Sequence, residues 1–206
     1  MTLSRVVLAI VAVVLPIAND GPHQAPQTWS VTILGDVEDL RSPAVVEAVK
    51  HWNEELASLG ARLRFGEITW SGERLSEGTL RALSDAVATR RRLGRPRELD
   101  GIQGDVIIAF SNTDLVSVGI ARERFGRAVV VLRAADRPPF SWPNVARNVA
   151  THELGHVLGL SHNGEIGTLM CGPPFARCRP ADVRADTVVF LPLTETERHA
   201  LADRWR

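Results

Sequence analysis

The spacing of apolar residues changes along this chain, and each change marks an element. Ser30 to Gly35 carries Val31, Ile33 and Leu34 and reads as a first strand. Ser42-Pro43 then starts a helix, because Val45, Val46, Val49, Trp52 and Leu56 recur at the spacing of a helical stripe packed on a sheet. Leu63 to Thr69 reads as a second strand. Asp105 to Phe110, with Val106, Ile107, Ile108 and Ala109 unbroken, is a third, covered on both faces. Ser117 to Arg122 and Arg127 to Leu132 add two more strands around a turn at Gly126. Pro138, Pro139 and Pro143 punctuate a loop, and Asn144 is expected to cap a helix through Val145, Val149, His152 and His156 to about Leu158. Within the polar stretch from Ser71 to Gly104, Leu80, Leu83 and Val87 fit one face of an extra helix. Strands alternating with helices predict an α/β fold with a mixed or parallel sheet.

Length and charge narrow this picture. The 206 residues fit one domain with short extensions. Arg5 followed by the apolar run Val6 to Ile17, with the small Ala18 behind it, reads as an export signal over residues 1–18, cleaved or kept as an anchor. Residues 19–28, with Gly21, Pro22 and Pro26, read as a tether to a domain spanning 29–206. Lys+Arg and Asp+Glu both number 24, so no net field draws in nucleic acid, and no membrane contact is expected unless the N-terminal run is retained. Arg90, Arg91, Arg92, Arg95 and Arg97 form a basic cluster without interleaved aromatics and read as a solvated helix end. Export to a periplasmic or extracellular compartment permits the two cysteines, Cys171 and Cys178, to pair. Nothing in the sequence fixes the oligomeric state.

Candidate chemistry is concentrated in His152-Glu153-Leu154-Gly155-His156 and the following Gly159 and His162. Residues four apart share a helix face, so His152 and His156 present two imidazoles to one ion, and Glu153 lies beside it without having to bind. A helix cannot bring a residue at the tenth position round to the same ion, so it must end; Gly159 suits that turn, and His162 becomes the third ligand. Three neutral imidazoles favour zinc and leave a fourth place open, as in a catalytic site. Zinc would polarise a carbonyl and acidify water towards a pKa of roughly 7, with Glu153 as general base and then general acid.

The stretch HELGHVLGLSH at 152–162, followed by Gly167-Thr168-Leu169-Met170, resembles the metzincin metallopeptidases, and among them the matrixin-like group. The resemblance implies a zincin-like α+β catalytic domain. Its twisted, mostly parallel five-stranded sheet would have an antiparallel edge strand, three main helices (the last starting near Thr194) and a small C-terminal lower subdomain. It implies that Met170 forms a hydrophobic Met-turn floor beneath the ligands. Peptide would align along Ser117 to Arg122, and a Cys171–Cys178 bridge would stiffen a specificity pocket. The implied activity is that of a secreted zinc-dependent endopeptidase with one catalytic zinc, acting on protein or peptide. Matrixins of animals also carry a cysteine-containing propeptide, a second zinc and calcium loops, and none of these is predicted here. His23, His51 and His199 lack metal-ligand spacing, and the absence of tyrosine excludes a tyrosine zinc ligand.

Overall fold

The computed structural model describes residues 26–174 and 187–206. The expected export signal, most of the tether and Cys178 lie outside the described residues. Strand β1 (Gln27–Leu34) opens the domain, inside the stretch read as tether, because Gln27 and Thr28 already pair with Leu63 and Arg64 of β2 (Leu63–Ser71). Between them runs α1 (Ser42–Ser58), begun by the expected Ser42-Pro43. After β2 come α2 (Glu77–Ala88), β3 (Val106–Phe110), β4 (Val118–Ile120) and β5 (Ala128–Leu132). Two long helices follow, α3 (Pro143–Val157) and α4 (Glu195–Trp205).

The sheet has the order β2-β1-β3-β5-β4. β1, β2, β3 and β5 are parallel, and only the edge strand β4 runs antiparallel, pairing with β5. The unbroken apolar runs of β3 and β5 follow from their central place: every residue of each is buried, alternate side chains entering opposite cores. On one face Val106, Ile108, Ala128 and Val130 meet Val45, Trp52 and Leu56 of α1 and Leu154 of α3. On the other, Ile107, Ala109, Val129 and Val131 meet Leu80 and Leu83 of α2. The β1–α1–β2 and β2–α2–β3 crossovers therefore cover opposite faces, as in doubly wound sheets.

Three local expectations are corrected. Asn144 does not cap α3: Pro143 already occupies the first helical turn, Trp142 is the N-cap and makes no side-chain capping bond, and Asn144 is buried just inside. The edge strand is shorter than Ser117 to Arg122, because the chain leaves the sheet at Ala121 and enters a 3-10 turn over Arg122–Arg124. The helix predicted inside 71–104 is present as α2. It ends before the arginines, and Arg90 has a left-handed φ of 54°, so the basic cluster lies in a loop rather than on a helix end.

Candidate metal centre

Helix α3 supplies the first half of the site. His152 and His156 stand one turn apart, and the buried Glu153 points towards the edge strand, where the backbone N–H of Gly119 donates to its carboxylate. The approach is close: a side chain on Gly119 would overlap the Glu153 carbonyl and the His156 Cβ. On the core side Trp52 donates its indole N–H to the Thr151 carbonyl at 2.8 Å, tying α1 to the turn that precedes the ligands.

The helix then ends by a complete Schellman motif. Gly159, at φ +96°, donates to the His156 carbonyl, and Leu160 donates to the Gly155 carbonyl, each at 3.0 Å. A left-handed residue is required at this position, which explains the glycine. The reversal also turns the Leu160 carbonyl back towards the helix, where His156 Nδ1 donates to it at 2.8 Å.

The second half comes from the irregular chain after Leu160. The three Nε2 atoms of His152, His156 and His162 lie 3.0–3.1 Å from one another. Each Nδ1 faces a backbone carbonyl: Leu169 for His152 at 2.7 Å, Leu160 for His156 at 2.8 Å, and Pro173 for His162 at 2.7 Å. A carbonyl only accepts, so in each neutral ring the proton sits on Nδ1 and Nε2 carries a bare lone pair. Three lone pairs thus converge with no hydrogen available between them. That arrangement is repulsive alone and becomes favourable around a cation; the spacing suits one ion at zinc–nitrogen distances of about 2.0–2.1 Å. The residues present therefore fit a zinc ion.

Electrostatics agree with the geometry. Burial, and then the neighbouring His156, push His152 down to about 4. Burial, and then His162, push His156 to about 4, although its bond to Leu160 opposes the shift. Burial also lowers His162. The rings stay neutral, the form that binds metal. Burial raises Glu153 to about 8 despite the Gly119 bond, so this carboxyl holds a proton readily when no cation is near.

Met170 is fully buried beneath α3, and a Cβ on Gly155 would meet its Sδ at 2.5 Å. It therefore packs against the face between His152 and His156. Cys171 is half-buried beside it, whereas its expected partner lies outside the described residues.

Several supporting residues carry no sequence signature of a site. Asn144 donates to Thr187 O at 2.9 Å and accepts from Val189 N at 3.1 Å. One turn on, Asn148 donates to Val189 O at 2.8 Å and accepts from Leu191 N at 2.7 Å. Two buried amides on α3 thereby hold the incoming backbone as a neighbouring strand would. Pro192 O then accepts from Leu169 N at 2.8 Å, and Leu169 O receives the His152 proton, so this segment orients a ligand through one residue. Asn163, next to His162, donates to Glu197 at 2.6 Å; Glu197 also closes a capping box with Thr194 at the start of α4. Only that Thr-x-x-Glu pattern was readable in advance. His51 stacks on Phe190 at 4.2 Å, and His199 is exposed on α4; neither joins the cluster.

Comparison with solved structures agrees on the fold, which this chain shares with an archaemetzincin and with a metalloproteinase. The archaemetzincin of Methanopyrus kandleri superimposes with a TM-score of 0.52 at 19% identity, covering 89% of this chain and 97% of that one. Metalloproteinase-II of Bacteroides fragilis superimposes with a TM-score of 0.50 at 14% identity, covering 90% of this chain and 56% of that one. No family model and no curated protein matches the sequence.

Proposed function

We propose that the chain is a zinc-dependent endopeptidase in which His152, His156 and His162 hold one ion and Glu153 moves the proton. The observation that carries this reading is the convergence of three unprotonated Nε2 atoms beside a buried carboxyl group. Zinc, when bound, supplies Lewis acidity towards a carbonyl oxygen and makes water acidic enough to lose a proton near neutral pH. Glu153 accepts that proton on its carboxylate and later gives it to the departing amine nitrogen. Gly119 N–H steadies the carboxylate from β4. The carbonyls of Leu160, Leu169 and Pro173 keep the rings in the tautomer that binds. Met170 fills the space under the ligands and denies them room to shift.

The finer reading is a matrixin-like enzyme, exported by residues 1–18, with peptide laid along β4 through main-chain hydrogen bonds and a Cys171–Cys178 bridge stiffening the wall after the Met-turn. The likeness of fold to two metalloproteases supports the metalloprotease part of this reading, and the Met170 position below α3 supports the Met-turn. Metal analysis combined with casein cleavage tests the core claim. The expected result is one zinc per chain and cleavage that is lost on chelation and restored by zinc. Glu153→Gln should keep the zinc and slow cleavage by roughly 10²–10⁴-fold; a variant as fast as the wild type would remove Glu153 from the mechanism.

A further inference from the structure

The three imidazoles are not held alike. His152 and His156 stand on α3, whose backbone fixes both, whereas His162 lies beyond the helix on irregular chain. Its ring is bounded by two residues further on: Pro173 O accepts from Nδ1 at 2.7 Å, and Gly172 lies so close that a Cβ there would overlap the ring. The third imidazole is therefore aimed only while Gly172 and Pro173 are held against it.

Asn163 does the holding. Its main chain donates to Met170 O at 2.9 Å and accepts from Gly172 N at 3.3 Å, two bonds that close the loop. Within the loop its side-chain Oδ1 accepts from Glu165 N at 2.8 Å and lies 3.1 Å from the Thr168 hydroxyl. Outside the loop its Nδ2 donates to Glu197 Oε1 at 2.6 Å, 34 positions along the chain. The amide cannot be reversed, because the Glu165 N–H only donates and the Glu197 carboxylate only accepts.

Glu197, near the start of α4, is only 7% exposed, and no cation pairs with it among the described residues. Burying a carboxylate is costly where a neutral amide would serve, and the capping box by itself is satisfied by Gln as well as by Glu. The carboxylate is needed because two donors converge on it: Asn163 Nδ2 on one oxygen, and the Thr194 N–H on the other at 2.8 Å. Gln offers a single acceptor oxygen, and its NH2 group would confront that of Asn163.

We propose that Asn163 and Glu197 are positioning residues for the metal: the buried carboxylate on α4 fixes the Asn163 amide, and Asn163 holds the His162 imidazole where it shares the ion. Helix α4 then sets zinc affinity from outside the ligand set. The proposal rests on the zinc reading given above and does not depend on cleavage.

Exchanging the two polar groups tests it. Glu197→Gln sets two NH2 groups against each other, and Asn163→Asp sets two carboxylates against each other. The double variant Asn163→Asp with Glu197→Gln reverses the bond: the new amide donates to the new carboxylate, and Glu165 N and Thr194 N each keep an acceptor. Zinc affinity is measured by competition with a chelator, ligand geometry by the visible spectrum of the cobalt-loaded protein, and folding by urea unfolding of the metal-free chain. Each single variant is expected to bind zinc about ten- to a hundredfold more weakly and to shift the cobalt bands. The double variant is expected to recover the wild-type affinity and spectrum. A merely structural role would lower the urea midpoint while leaving affinity and spectrum as they are. That result, or a double variant binding zinc no better than the weaker single one, would overturn the proposal. Glu197→Gln keeps the capping oxygen and the side-chain volume, so it folds even if Asn163→Asp does not, and wild-type affinity in it alone would count decisively against the assignment. Cleavage enters none of these measurements, so a zinc-loaded wild type that leaves casein intact would sink the peptidase reading without touching this one.

Discussion

At the scale of single residues, the site is a set of protonation states imposed by carbonyl groups and by burial. For the metal-free protein this gives a pH dependence with two opposing signs. His152 and His156 titrate near 4 when folded, against about 6.5 in an unfolded chain. Their contribution to stability is complete above about 6.5 and is lost as the pH falls towards 4. Glu153 titrates near 8 when folded, against about 4.5 unfolded. Its contribution is complete below about 4.5 and is lost as the pH rises through 8. Where the windows overlap, two imidazoles outweigh one carboxyl group, so the chelated protein should be most stable near pH 6.5. Thermal midpoints recorded with chelator between about pH 5 and 9 would show this maximum. Glu153→Gln should abolish the alkaline decline and leave the acid decline; an unchanged alkaline limb would show that Glu153 is not the buried acid. The ligands themselves were legible because a four-residue spacing and a following glycine have geometric consequences. Their Nδ1 partners were not, since backbone carbonyls of Leu160, Leu169 and Pro173 leave no trace in side-chain identity.

Among the elements, helix α3 does most to join fold and site. Its start was misread: Asn144 looked like a cap, but proline prefers the first helical position, so Pro143 moves the cap back to Trp142 and frees Asn144 for another task. That task, shared with Asn148, is to hold residues 187–191 by hydrogen bonds to alternate backbone groups. Asn148→Ala would leave Val189 O and Leu191 N without these partners, a loss of about 2–4 kcal/mol in urea unfolding. Pro192, next along this chain, holds Leu169 and through it His152, so zinc affinity measured by competition with a chelator should fall by roughly tenfold or more. A stable variant with unaltered affinity would confine Asn148 to packing. Strands β3 and β5 and helices α1 and α3 were plain in the sequence because each buries a continuous run or a wide stripe. The opening of β1 was not, because Gln27 and Thr28 are polar and become strand only by pairing with β2. Helix α4 is polar along most of its length, burying only Glu197, Leu201 and Ala202, so its capping box marks it better than its periodicity does.

For the whole molecule, the metal joins two halves that differ in how they are held. The sheet with α1, α2 and α3 has two apolar cores and depends little on the ligands. The chain from Leu160 to Pro174 has no helix; Leu160, Leu169 and Met170 tie it into the main core, and the hydrogen bonds of Asn163, the Leu169–Pro192 bond and His162 order the rest. Helix α4 returns to the main core through Leu201 and Trp205, and Trp205 donates to Leu158 O at 3.1 Å, which ties α4 to the end of α3. An ion shared between α3 and His162 therefore cross-links the helix to the irregular segment that follows it. Bound at a thousandfold excess over its dissociation constant, it would stabilise the native state by about 4 kcal/mol. In a chain of this length that corresponds to a rise in thermal midpoint of roughly 8–16 °C. Glu153→Gln should keep that rise, because the carboxylate is not a ligand. His162→Ala should lose most of it while the zinc-free midpoint moves little. Should the His162 variant gain as much from zinc as the wild type, the third imidazole would not share the ion, and the two halves would be joined by packing alone.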